Sequence, residues 1–464
     1  MRPYITSVPR FYSRLFPPTQ PPLDQQVMEE LGKRMQANSG TFTPAHTVQM
    51  LPAGYTYFGQ FVDHDITRDD TLLENAGKKS PEETPNLTGP WLDLSQLYGD
   101  GPESDKSGKL YAADGVSFRL GEREPPGEQF DVPLDCETNE PLLADDRDNE
   151  NVIIRQLHAL FLKLHNAAVR EIGVGPPSER FERARQRVQW QYQWLIRKDY
   201  LREICDEEAY TAVIDKSERL IDWGNKFSIP IEFSQAAFRF GHSMVRERYR
   251  LNDTSPNVPL SRLFAETQQT RNLPAELAID WANFIDTGPT SETAMAIDTT
   301  LVPPLFCLPV KHFHHFISDI PPDQPPQLPV RTLRRGAATG LPTGEEVSCA
   351  LGATQLRAEG REFSTTTDPW ILLDELGLRG RTPLWYYILV EAEQLKNGRR
   401  LGYVGSRIIA EVIEASLWAD PDSYLNHEGA GWTPPSWCDL SGKTIAVVRL
   451  SDVPKVVGLY NSPR

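Results

Sequence analysis

The chain has 464 residues, 39% hydrophobic and 24% charged, the balance of a globular protein large enough to enclose a cofactor. Its net charge of −16 argues against a nucleic-acid role, which needs a basic face, and suits a neutral or cationic small substrate. No run of about 18 apolar residues marks a membrane span, and Cys136, Cys205, Cys307, Cys349 and Cys438 form no CxxC pair, so neither a zinc signature nor a full disulfide framework is expected.

The first fifty residues are mixed and proline-rich, and read as an N-terminal arm (1–50) ahead of one large domain (51–464). They hold no apolar core of signal-peptide length, so the expected setting is soluble and cytoplasmic, with non-classical export leaving the same trace. The first strongly patterned segment ends in Phe58-Gly59-Gln60-Phe61-Val62-Asp63-His64-Asp65. Residues 69–146 are polar and glycine-rich, which favours loops. Over 150–172 the residues Ile154, Leu157, His158, Phe161, Leu164, His165 and Ala168 recur at three- and four-residue steps, the pattern of one helix face. A second long helical region is expected over 178–213, with Ser178 as its cap, and a buried third over 234–248, capped by Ser234. Weaker helical stretches cover 345–351, 370–376, 382–393 and 403–417. Clusters such as Pro321, Pro322, Pro325 and Pro326 cannot be helix interior. With no alternating strand series and no repeat, the expected architecture is one mainly α domain with long proline-rich loops.

Three segments carry chemistry. A histidine between two aspartates, His64 between Asp63 and Asp65, is unusual on an apolar segment, because buried carboxylates are costly unless they pair, bind metal or react. The plain alternative is a hydrogen-bonded core histidine between two solvated acids. Phe238-Arg239-Phe240-Gly241-His242 puts one histidine on an apolar stretch, with a glycine before it that admits a flat ligand or another backbone. A neutral imidazole there is a good iron ligand, and Arg239 lies one turn earlier. The alternative is a core histidine with a surface arginine. Arg147-Asp148-Asn149-Glu150 precedes the helix bearing His158, His165 and Asn166, where acids also suit the helix dipole. His312, His314 and His315 lack an acidic partner, which weighs against a metal site. Trp385, Tyr386 and Tyr387 read as helix packing more readily than as a radical relay.

In this order the segments resemble the signatures of the animal-type haem peroxidases, the peroxidase–cyclooxygenase superfamily. The 59–65 segment resembles the distal-histidine signature and 238–242 the proximal one. Residues 147–150 with 158–166 resemble the distal arginine, an ester-forming glutamate and the helix that follows. Trp91-Leu92-Asp93-Leu94-Ser95 with Tyr98-Gly99 resembles a calcium loop, and Gly340-Leu341-Pro342 a later landmark. Thr382 to Glu393 is closer to compact bacterial members. The resemblance implies a helical haem-peroxidase domain with haem b between the distal and proximal helices. Hydrogen peroxide would be the oxidant, and a small aromatic donor or a halide the reductant.

The resemblance also assigns roles. His64 would take a proton from hydrogen peroxide and return it to the leaving oxygen. Arg147 would place positive charge beside the breaking O–O bond, and Gln60 would order water or an anion. His242 would ligate the haem iron, with Arg239 and Arg335 on the propionates. Asp63 and Glu150 stand where members form ester links to the haem, while Asn151 replaces the methionine that myeloperoxidase links to a vinyl group, so that link should be absent. Calcium would be held by Asp65, position 89, the Trp91 carbonyl, Asp93 and Ser95. Position 89 is Gly89 where a threonine is usual, with Thr88 displaced by one. Thr332 stands where an asparagine usually accepts a hydrogen bond from the proximal imidazole, which implies a less electron-rich ligand. A cyclooxygenase-like fatty-acid dioxygenase would carry a tyrosine at the position of Arg239. A non-catalytic binding module could have discarded Gln60, His64 and Arg147.

Overall fold

The helices begin where the sequence supplies acceptors or prolines for their first turns. The computed structural model describes residues 10–37, 50–121, 131–220, 227–286, 291–309, 325–353 and 368–459. Asp24 caps α1 (Gln25–Arg34) by accepting from the N–H groups of Gln26 and Val27. Helix α2 (Ala53–Ile66) carries the Gly59–Asp65 signature. Asn151 caps α3 (Val152–Ile172) through the N–H groups of Ile153 and Ile154, and every residue named above for its inner face is buried.

Helix α4 (Pro177–Leu195) opens with Pro177 at its first position and Pro176 as the cap, so Ser178 does not cap it as expected. The fixed φ of proline starts the helix, and its missing N–H costs nothing there. The region expected as one helix to 213 is broken. Ile196–Tyr200 and Thr211–Asp215 are π turns, and an extended Cys205 separates them.

The expected helix over 234–248 is a larger departure. It is a single turn (Ile231–Ser234), then a 3-10 helix (Ala237–His242), then a short strand, Arg248–Tyr249. Ala236, at φ −133° and ψ −74°, interrupts it. Side chains take backbone carbonyls on both sides of the break: Arg239 Nε donates to Ser234 O at 2.8 Å, and Trp385 Nε1 donates to Arg239 O at 3.1 Å.

Among the described helices of the C-terminal part, three of more than ten residues stand out: α5 (Leu328–Ala338), α6 (Leu384–Lys396) and α7 (Tyr403–Ala419). Among the described residues the strands form three antiparallel pairs, each strand two residues long. The result is a mainly α single domain.

Helix α2 packs on α3, with Phe61 stacked on Phe161 at 4.9 Å between ring centroids, and α3 packs on α4. Such a pair contributes roughly 0.5–1.5 kcal/mol beyond the area it buries. The N-terminal segment is built into the same core: Tyr12, Met28 and Leu31 are buried in it, and α1 packs on α5. No helix among the described residues is long and apolar enough to cross a membrane. His312, His314 and His315 lie outside the described residues.

Candidate active site

Helix α2 and the 3-10 helix Ala237–His242 bring their signatures to one cavity of about 280 Å³. Its walls include Gln60, Asp63, His64, Arg147, Glu150, Arg239, His242, Thr332 and Arg335, which stand far apart in sequence. Leu260, Phe264, Leu305 and Leu308 make another part of the lining apolar. A polar end and an apolar body are what a partly charged planar cofactor requires.

His64 is buried, and its Nδ1 lies 2.7 Å from Asp148 Oδ1. The other oxygen of Asp148 lies 2.6 Å from His158 Nδ1 on α3. Burial and the neighbouring Arg147 push the His64 pKa down. The hydrogen bond and charge of Asp148, with Glu150 behind, outweigh them and raise it.

Arg147 is clamped. Its Nε and Nη2 bond Asp145, Nη1 donates to Thr67 O at 2.7 Å, and Nη2 donates to His64 O at 2.7 Å. These contacts use four of the five N–H groups of a guanidinium. They pin the C-terminal end of α2 and leave one Nη1 hydrogen. Asp145 raises the Arg147 pKa against its burial, so the cation is permanent.

Gln60 Nε2 donates to Glu150 Oε2 at 2.8 Å. Burial lifts the Glu150 carboxyl to about 7. Asp63 accepts from the Thr67 hydroxyl at 2.9 Å.

His242 Nδ1 is buried and has no hydrogen-bond partner among the described residues. Burial, then Arg239, lowers its pKa to about 3, so the imidazole stays neutral and able to bind a metal. A Cβ built on Gly241 would meet nothing within 4 Å, so the space beside His242 is open to a ligand and not filled by another backbone. The Trp385 ring meets His242 edge-on. A neutral imidazole on an open cavity with basic side chains at its rim fits a haem.

Thr332 and Arg335 both line the cavity and make hydrogen bonds to neighbouring groups. Thr332 does not accept from His242; its hydroxyl donates to Leu328 O at 3.0 Å, the usual satisfaction of a threonine inside a helix. Arg335 is at the cavity, but its guanidinium is shared with Asp69 at 3.0 Å and Thr71 O at 2.6 Å.

The 89–95 loop lies against Asp65, and the side chains of Asp65, Asp93 and Ser95 gather there. Asp65 is buried and its oxygens accept from the N–H groups of Leu94 and Ser95 at 3.0 and 2.9 Å. Asp93 Oδ1 accepts from Ser95 N at 3.1 Å. Burial and then Asp93 raise the Asp65 pKa well above its ordinary range. The side-chain ligand set is incomplete. The Thr88 hydroxyl is turned to Asn86 at 3.0 Å and does not replace the missing threonine at Gly89. Arg10 stands at that position, with Nη1 3.1 Å from where a Gly89 Cβ would be and its guanidinium 4.7 Å from the Trp91 ring centroid. Among the described residues no group of three or more His, Cys, Asp or Glu converges as metal ligands.

Sequence reasoning missed Asp148 and, through it, His158 as partners of His64, and Tyr12, Arg68, Asp69 and Arg331 as cavity residues. The signal available for Asp148 was an acid directly beside Arg147, ten residues ahead of a histidine.

Comparison with known proteins gives a family and a fold. Residues 71–301 match the family model for animal haem peroxidase. That span contains Arg147, Glu150, Arg239 and His242, while Gln60 and His64 lie just ahead of it. Human thyroid peroxidase is 28% identical over 213 residues, which is 40% of this chain and 23% of that protein. Peroxidase A from Dictyostelium discoideum superposes with a TM-score of 0.65 at 16% identity, covering 98% of this chain and 94% of that one. A fatty acid alpha-dioxygenase from Oryza sativa gives a TM-score of 0.62 at 14% identity, covering 89% and 76%. At these identities the two structures share the fold with this chain, the all-helical haem peroxidase fold.

Proposed function

This chain belongs to the animal haem peroxidase family, and from that premise we propose that it is a haem-dependent peroxidase, using hydrogen peroxide to oxidise a small aromatic donor or a halide. The observation that carries the proposal is the joint placement of Gln60, His64, Arg147 and Glu150 on the cavity that His242 also lines.

In this reading haem b supplies the two-electron oxidation chemistry when bound. The protein positions reactants and moves protons. His242, neutral at physiological pH, would hold the haem iron. Arg239, Arg331 and Arg335 line the cavity and would pair with the haem propionates. The Nε2 of His64 would accept a proton from hydrogen peroxide and hold it for return to the leaving oxygen. Arg147 offers its remaining N–H and its permanent charge to the developing oxyanion. Gln60, tied to Glu150, orders what occupies the space beside His64. Asp63 and Glu150 reach the cavity and are the candidates for ester links. Asp65, Asp93 and Ser95, with the Trp91 carbonyl, are the residues that would hold calcium.

The fold alone does not separate this activity from fatty-acid dioxygenation. Arg239 supports the peroxidase, because it stands three residues before His242 where the dioxygenase chemistry calls for a tyrosine. The retained set of Gln60, His64 and Arg147 supports an enzyme over a binding module.

Two variants test the assignment. His242→Ala is expected to lose stoichiometric haem, and a normal haem spectrum in it would remove His242 as ligand. His64→Ala is expected to keep haem and to respond to peroxide slower by two or more orders of magnitude. An unchanged rate would remove His64 from the mechanism.

A further inference from the structure

Asp148 has no solvent exposure, and both its oxygens are occupied by imidazoles: His64 Nδ1 at 2.7 Å and His158 Nδ1 at 2.6 Å. The three side chains come from three elements: α2, the 3-10 turn Asp146–Asn149, and α3. A carboxylate only accepts, so each imidazole must present an N–H at Nδ1. A neutral imidazole has one N–H, so the Nε2 of His64 is left as a lone pair, on a ring that lines the cavity.

His158 makes the arrangement rigid. Its ring is buried and meets Phe61 edge-on at 6.3 Å between centroids. By taking the second oxygen it keeps the carboxylate from turning away from His64.

We propose that Asp148, held between His64 and His158, is the positioning residue of the distal base. It fixes His64 in the Nδ1–H tautomer and stabilises the imidazolium that forms when the base accepts a proton. In that step the proton passes from the peroxide O–H to His64 Nε2, and its bonding pair stays on the peroxide oxygen. Asp148 keeps its negative charge throughout. The other charged groups acting on His64 are Arg147, which opposes the imidazolium, and Glu150 and Asp145, which favour it. Among the described residues, Asp148 is the one acid bonded to the ring. This inference rests on the peroxidase reading above.

The test is the rate at which the haem absorption of the loaded protein responds to hydrogen peroxide. Asp148→Asn is expected to take up haem with the wild-type resting spectrum and to respond at least about 100-fold more slowly, the scale of a lost general base. On a His64→Ala background the same substitution is expected to add nothing, because groups acting as a unit are not additive. A wild-type rate in Asp148→Asn overturns the proposal. So does a loss that recurs in full without His64, since Asp148 would then act on the fold. If Asp148→Asn does not take up haem, His158→Phe decides. It is expected to fall about tenfold as the carboxylate is freed to turn, and an unchanged rate overturns the proposal. A wild-type protein whose haem ignores peroxide fails the peroxidase reading itself and takes this inference with it.

Discussion

The indole of Trp385 meets the ring of His242 edge-on, 5.9 Å between centroids and 76° between planes, while its N–H donates to the carbonyl of Arg239 at 3.1 Å. One buried side chain on α6 thus holds both the imidazole and the backbone one turn before it. Trp385→Ala is expected to cost about 3–5 kcal/mol of stability, as for other large buried aromatics. Trp385→Phe keeps the ring contact, loses the hydrogen bond, and is expected to cost about 1 kcal/mol. Denaturant unfolding of the two variants checks this. Equal losses would mean that the hydrogen bond, and not packing, is what Trp385 supplies.

Thr332 lines the cavity, but its hydroxyl is committed to Leu328 O. Thr332→Ala is therefore expected to leave haem affinity and the resting spectrum unchanged. A direct bond to the proximal imidazole would make its loss worth about 10–100-fold in affinity. A tenfold weakening of haem binding by this variant would show that the hydroxyl reaches His242 once haem is present.

Much of the site could be read from the sequence because its residues are packed into short segments. Gln60 to Asp65 spans less than two turns of one helix, and Arg239 and His242 are three residues apart. The fold class followed from helical periodicity on α3 and from the absence of alternation. What escaped depends on contacts between distant segments. The bond from His64 to Asp148 bridges 84 positions, and no local pattern announces it. The 3-10 geometry before His242 follows from where Arg239 and Trp385 send their N–H groups, which is a tertiary effect. Helix α5 was hidden behind a proline cluster, yet Pro329 sits in its first turn, where proline is tolerated.

Asp65, Asp93 and Ser95 would offer calcium three side-chain ligands, against the six to eight ligand oxygens the ion usually takes. The hydroxyl missing at Gly89 is not recovered from Thr88. Calorimetric titration is expected to find binding no tighter than roughly 10⁻⁴–10⁻³ M. Chelator treatment is expected to leave the haem absorption of the loaded protein unchanged. A nanomolar dissociation constant would contradict this.

His165 is buried, its Nε2 2.9 Å from Val116 O and its Nδ1 3.1 Å from the Tyr98 hydroxyl. Burial lowers its pKa to about 4, below the value near 6.5 of an unfolded histidine. Folding therefore disfavours its protonation. The stability it contributes is complete above about pH 6.5 and is lost as pH falls from there towards 4. The slope is up to about 1.4 kcal/mol per pH unit. His165→Gln, which does not titrate, is expected to show a shallower fall in unfolding free energy across that window. Parallel curves for the two proteins would mean that other groups set the acid sensitivity.

The peroxidase reading is tested most directly by one absorption measurement: the haem-reconstituted protein before and after one equivalent of hydrogen peroxide, then after a phenol. The expected result is a Soret band that drops or shifts within seconds of peroxide and returns when the phenol is added. A Soret band that does not respond to peroxide, or no Soret band at all, would contradict it.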